Sequence, residues 1–174
     1  MKNRITPTTV EHSLDRDSFI VSKTDTRGRI TYANRTFMHI AGYSERELLG
    51  QQHNILRHPD MPRAVFQLLW NTIKQGRECF AFVKNLCKDG SFYWVFANIN
   101  PDYDDQHEIC GYLSVRRMPR REALDAIEPI YREILTAEQA AGTRDAVAAG
   151  TRILQSRLQE GNIEYEPFIL GLQG

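Results

Sequence analysis

The stretch "HNILRHPDMP", residues 53–62, gathers two histidines, an arginine and an aspartate. Such a cluster could ligate a metal, catalyse acid–base chemistry, or grip a charged ligand. The spacing speaks against metal, because His53 and His58 are five apart with Pro59 next, so they do not share a regular helix face. Catalysis has no support elsewhere in the chain. It contains no serine–histidine–acid order, no glycine-rich nucleotide loop and no metal signature. A grip on something charged is the third reading: Arg57 is a rigid guanidinium fork, His58 and Asp60 stand beside it, and Trp70 lies downstream. Each residue also has a plain structural reading: Arg57 as a solvated surface group, His58 and Trp70 as packed side chains, Asp60 as a helix N-cap.

Asn85 raises a separate question. In a strand, alternate side chains share a face, which puts Ala81, Val83, Asn85 and Cys87 in one row. A carboxamide in a small apolar row needs a partner if that row is buried. Asn34 is a weaker candidate of the same kind, since capping a helix already accounts for it.

These residues need elements to position them. Strands are expected over 18–24 and 29–33, turning at Asp25-Thr26-Arg27-Gly28. Asn34 then caps a helix to about Ala41, and Ser44 with Glu47 forms a capping box for another. Asp60 is the natural N-cap of a longer helix, apolar over a wide arc through Val65, Phe66, Trp70 and Ile73. Strands follow over 79–87, 91–101 and 108–118, the first two joined at Lys88-Asp89-Gly90. In the middle strand Tyr93, Val95, Ala97 and Ile99 share one face, and Phe92, Trp94 and Phe96 the other. Both faces therefore need cover: a pocket on one, and the N-terminal cap, a C-terminal helix or a second subunit on the other. Beyond Pro119 the pattern is helical, with Pro129 expected near a helix start or kink and Thr143 capping a further helix. The terminal "EYEPFILGLQG" is apolar without a clear period.

The division is a cap over 1–17, a domain over 18–118 and a helical extension over 119–174. At 174 residues and 41% hydrophobic content the chain can bury a real core. Lysine plus arginine equals aspartate plus glutamate at 22 each, so nucleic-acid binding driven by overall charge is not expected. Three cysteines without CxxC spacing suggest a reducing, cytoplasmic setting. No apolar run is long enough for a membrane span.

The order of elements resembles the PAS sensor fold: α+β, a five-stranded antiparallel sheet with short helices over one face, followed by C-terminal helices. "RHPDMP", "KNLCKDGSFYWVFANI" and "GYLSVRR", with "ITYANRTF" and "AGYSERELLGQQHN", resemble the FAD-binding PAS domain of bacterial aerotaxis transducers (the Aer family). The resemblance covers about residues 18 to 135. It implies FAD as cofactor, with Arg57, His58, Asp60, Trp70, Asn85 and Asn34 as its binding residues. Arg57 would meet the pyrophosphate, and Asn85 would match the donor and acceptor on the flavin's pyrimidine edge.

It further implies a sensor of redox or oxygen status rather than an enzyme. Such a sensor would be a homodimer passing its signal to a downstream HAMP and methyl-accepting region that this chain does not contain. As part of a larger receptor it would sit at the inner face of the cell membrane. The related flavin photoreceptors use a cysteine in an "NCRFLQ"-like helix; here the stretch is "HNILRHPD", and no thiol adduct is expected. Three other readings stay open: a haem PAS domain with His53 or His58 as axial ligand, a cofactor-free dimerisation module and, weakest, a flavoenzyme.

Overall fold

The computed structural model describes residues 5–174. Strands β2 (Ile20–Asp25) and β3 (Ile30–Ala33) form the first hairpin. Its turn is held by the Asp25 carboxylate, which accepts the N–H groups of Arg27 and Arg29 at 2.9 Å each. Helix α1 (Arg35–Ala41) starts at Asn34, whose Oδ1 accepts the Phe37 N–H at 3.1 Å. Helix α2 (Glu45–Leu48) starts at Ser44, whose N–H donates to the Glu47 carboxylate at 3.0 Å. Both caps are those the residue types demand.

A 3-10 turn (His53–Leu56) and helix α3 (Arg63–Lys74) lead into three long strands: β4 (Cys79–Leu86), β5 (Phe92–Tyr103) and β6 (Ile109–Arg117). β5 pairs antiparallel with β4 and β6, and β6 with β2. The fold is α+β as expected, but the sheet has six strands and is mixed. Short β1 (Glu11–His12) runs parallel to β5 at Phe92 and Tyr93. The cause is strand length: β6 pairs with β5 only from Phe96 onward, leaving the backbone of Phe92 and Tyr93 open on that side. The N-terminal segment closes it, with Phe92 N–H donating to the Val10 carbonyl at 2.9 Å. Residues 1–4 of the expected cap lie outside the described residues.

The sheet buries both faces, as the double apolar pattern required. Short helices and α3 cover the inner one. The outer one, with Phe82, Trp94 and Phe96 all buried, is covered by the chain's own C-terminal helices, α4 (Arg121–Glu160) and α5 (Tyr165–Gln173). Leu124, Ile127, Tyr131 and Ile134 of α4 are buried, at about 1.5–3 kcal/mol each for full burial of a large apolar side chain. Tyr131 Oη donates to the Phe82 carbonyl at 2.9 Å, and its ring lies 6.3 Å from Trp94. The terminal apolar stretch is helix α5, with Ile169 fully buried.

Two helix boundaries differ from the sequence expectation. The break in α4 falls at Gly142 (φ 74°, ψ 173°), while Pro129 sits inside the helix. Proline costs least where its missing N–H and ring are accommodated near a start, but packing of this face against the sheet overrides that preference. Helix α3, expected to be capped by Asp60, instead begins after Pro62, which has no capping side chain. The cap comes from 75 residues away. The buried carboxylate of Glu138 in α4 accepts Arg63 N–H at 2.9 Å and Ala64 N–H at 2.8 Å. An anion at a helix N-terminus also complements the helix dipole.

Candidate functional site

A cavity of about 470 Å³ lies between the inner sheet face and α3. Phe66, Leu69, Trp70 and Ile73 of α3 form one wall; Val83, Asn85, Ala97, Ile99, Ser114 and Arg116 form the other. Gln52, His53, Asn54 and Arg57 come from the connection between α2 and α3. This is mostly apolar space with a few convergent polar groups, as small-molecule sites are. Trp70 is seated by its neighbours, edge-on to Tyr112 at 5.5 Å and with Gly28 beneath it. A Cβ at Gly28 would stand 3.0 Å from the indole, and the glycine's φ of 78° disfavours any other residue.

The cluster that opened the sequence analysis is split by the sheet. Arg57 makes an isolated antiparallel bridge to Asn85 on the edge of β4, and the chain turns at residues 59–60. Arg57 reaches the cavity, where it lies 4.8 Å over the Phe66 ring and donates to the Met61 carbonyl at 3.0 Å. His58 does not line the cavity. It is buried beside Phe92, its Nδ1 accepting Asp60 N–H at 3.1 Å. Asp60 likewise lies outside, its exposed carboxylate 2.7 Å from Lys84 Nζ. Of Arg57, His58 and Asp60, the geometry brings only Arg57 to the cavity wall.

Asn85 is 4% exposed and its Nδ2 has no partner among the described residues. A buried amide donor left unpaired costs about 1–3 kcal/mol, so a ligand that accepts from it is the natural resolution. Asn34, by contrast, has its side-chain groups satisfied by backbone. Its Oδ1 accepts from Phe37 and Val21, its Nδ2 donates to the Phe19 carbonyl, and it does not line the cavity.

Sequence reasoning missed the most unusual group. Arg116 is 2% exposed and lines the cavity. It meets Ser22 Oγ through Nη2, and His53 Nε2 lies 3.5 Å from Nη1. The alternation along β6 could have flagged it, since Tyr112, Ser114 and Arg116 share the inner face. Burial, with the Arg116 charge adding to it, pushes the His53 pKa down to about 3. Burial and the Lys84 charge push His58 down to about 4. A histidine exposed on unfolding takes up a proton below about pH 6.5, which the folded chain refuses, so these groups cost nothing above that pH. Stability is lost as pH falls from 6.5 towards 4 and 3, by about 2 kcal/mol per histidine at pH 5. Thermal unfolding at pH 7 and pH 5 is expected to show this, and His53→Gln to remove roughly half of it. An unchanged melting temperature across that interval would contradict the burial.

A second recess of about 420 Å³ adjoins the first and shares Arg57 and Arg63 with it. Its other wall is Leu135, Glu138 and Gln139 of α4 and the break at Gly142. Two guanidiniums thus stand where the two spaces meet. Among the described residues no cluster of three or more acid, histidine and cysteine side chains could hold a metal ion. None of the cavity-lining residues is a cysteine.

A curled sheet with helices on its inner face and a ligand-sized cavity between them is the arrangement of a PAS sensor domain. The family model described as the PAS fold matches residues 30–116, and the chain belongs to that family. It is 43% identical over 118 residues to the aerotaxis receptor of Escherichia coli K12, covering 68% of this chain and 23% of that protein. To the nitrogen fixation regulatory protein of Klebsiella pneumoniae it is 35% identical over 104 residues, 60% of this chain and 21% of that one. The chain thus spans about a fifth to a quarter of the length of these relatives. Among solved structures it is similar to the blue-light photoreceptor Aureochrome1 LOV in its dark form, with TM-score 0.52, 26% identity and coverage of 71% and 84% of the two chains. A light-oxygen-voltage domain studied with a flavin analogue shares the fold, with TM-score 0.56, 24% identity and coverage of 63% and 82%.

Proposed function

We propose that this chain is an FAD-binding PAS sensor that reports redox or oxygen status. The observation that carries the reading is Asn85, a buried carboxamide with an unpartnered Nδ2 on the wall of a mostly apolar cavity. The pyrimidine edge of a flavin supplies the complementary groups. Trp70 would stack and exclude water, and Arg57 with Arg63 would hold the pyrophosphate. A recess beyond those two guanidiniums favours a dinucleotide over a mononucleotide. The similarity to an aerotaxis receptor supports redox sensing as the use of the site. When bound, the flavin supplies reversible electron storage; the protein's part is to hold it and respond.

Two routes connect the cavity to α4. Val83 faces the cavity while its neighbour Phe82 accepts the Tyr131 hydroxyl on the other face. Helix α3 carries Trp70 at the cavity and meets Glu138 of α4 at its N-terminus. Driving a two-state element from 1:99 to 99:1 needs about 5.5 kcal/mol, against about 1 kcal/mol for one neutral hydrogen bond. Several contacts must therefore change together. A homodimer, a downstream signalling module and a cytoplasmic setting belong to this same proposal; no helix among the described residues is long and apolar enough to cross a membrane.

The haem reading retains only His53 at the cavity. Its Nε2 lies 3.4 Å from Ser22 Oγ and 3.5 Å from Arg116 Nη1, and iron at that nitrogen would have to displace both. An absorption spectrum of the purified chain, before and after dithionite, with the mass of the released cofactor, tests the proposal. The yellow flavin bands and the mass of FAD are expected. A colourless protein that takes up no added FAD rejects the reading, and a sharp Soret band replaces it by haem. In Asn85→Ala, flavin affinity is expected to fall about tenfold to a hundredfold, since the ring edge loses its partner. Full flavin content at wild-type affinity in that variant would rule out the role given to Asn85.

A further inference from the structure

Helix α4 is not one rod. Its Arg157 guanidinium meets the Glu133 carboxylate at 2.7 Å, although the two are 24 residues apart. A straight helix would hold them about 36 Å apart. The chain folds back at Gly142, whose φ of 74° and ψ of 173° lie in a region that essentially only glycine visits. The second half packs closely on α3: a Cβ at Gly150 would stand 2.6 Å from Glu138 Oε1 and 2.9 Å from the Ala64 Cβ. It also reaches the main cavity, where Val147 is part of the lining.

The recess of about 420 Å³ lies at this fold. Met61, Leu135 and Ala146 give it an apolar floor, while Gln139 and Thr143 are exposed at its rim. Arg57 and Arg63 line both spaces, so a cationic neck joins them. The Glu138 carboxylate beside that neck is engaged by the two N–H groups of α3. Two recesses joined by a cationic neck match a molecule with two flat ends and an anionic middle.

We propose that the recess at the fold of α4 seats the purine half of the ligand, so that the chain's own C-terminal extension completes the binding site. The inference rests on the dinucleotide reading. The apolar floor takes the face of the purine. The Gln139 carboxamide offers a donor and an acceptor, which match a ring nitrogen and the amino group of adenine. Leu135, Gln139, Thr143 and Ala146 all lie beyond residues 30–116, where the PAS model matches, so this wall belongs to the extension and not to the domain. A ligand seated in both spaces touches the domain at one end and both halves of α4 at the other. Loading therefore fastens the extension to the domain.

The test is made on the full chain, freed of ligand and titrated with FAD and with FMN. In the wild type, hydrogen exchange of the amides of residues 139–147 should slow about tenfold or more on saturation with FAD and stay unchanged with FMN. Gln139→Leu loses the hydrogen bonds to the purine and Leu135→Ala part of its floor; each is expected to weaken FAD about tenfold and leave FMN within about twofold. The exchange arm needs no variant to fold. Uptake of FAD with exchange at 139–147 unchanged, or wild-type FAD affinity in both variants, overturns the inference and leaves the flavin reading standing. A chain that takes up no flavin rejects both.

Discussion

Glu138→Ala is expected to lower the melting temperature by about 5–15 °C, the largest stability effect of any single change proposed for this chain. The argument starts from the N-terminus of α3, where the helix leaves N–H groups without intrahelical partners. Arg63 is exposed, so water can replace the carboxylate at its N–H. Ala64 is 1% exposed, and its N–H would be stranded. Loss of an N-cap costs about 0.5–2 kcal/mol and a stranded buried donor about 1–3 kcal/mol, giving roughly 2–4 kcal/mol together. Removing a buried charge returns part of this, which keeps the total below the sum of the extremes. Glu138→Gln retains one acceptor oxygen and should fall between. Because the carboxylate ties α4 to α3, Glu138→Ala should also speed proteolysis near the break at Gly142. Melting within about 1 °C of the wild type would show that the cap contributes little.

Arg57→Gln is expected to weaken FAD binding about tenfold to a hundredfold while leaving riboflavin, which has no phosphate, nearly unaffected. A hydrogen bond to a charged group is worth about 1.5–3 kcal/mol, and the guanidinium can offer two. Arg57→Lys keeps the charge but loses the fork and should lie between. The riboflavin arm separates two roles. Arg57 also donates to the Met61 carbonyl and packs on Phe66, so it could act by shaping the wall. Titration of both ligands against each variant decides: equal weakening of FAD and riboflavin would mean that Arg57 shapes the cavity and does not hold a pyrophosphate.

Much of the positioning framework was legible in local residue chemistry. Asn34 and Ser44 mark helix starts because their side chains satisfy N–H groups a few residues away. The two apolar rows of β5 announce a sheet covered on both sides, because side chains on a strand alternate whatever the fold around it. Asn85 stood out by the same alternation, as a polar group in a small apolar row. Such signals are short-range: the cause and the effect lie within one turn of helix or one pair of strands.

The chain order alone determined the element types, the double-faced sheet and the candidacy of Arg57, Trp70 and Asn85. Only the tertiary structure decided that Arg57 lines the cavity while His58 packs beside Phe92 and Asp60 pairs with Lys84 outside it. It alone put Glu138 at the start of α3 and gathered Ser22, His53 and Arg116, which are 31 to 94 residues apart. The physical reason is the range of the forces involved. Backbone preference and capping are settled by near neighbours, but the cost of burying a charge or leaving a donor unpaired depends on what the whole fold brings against it.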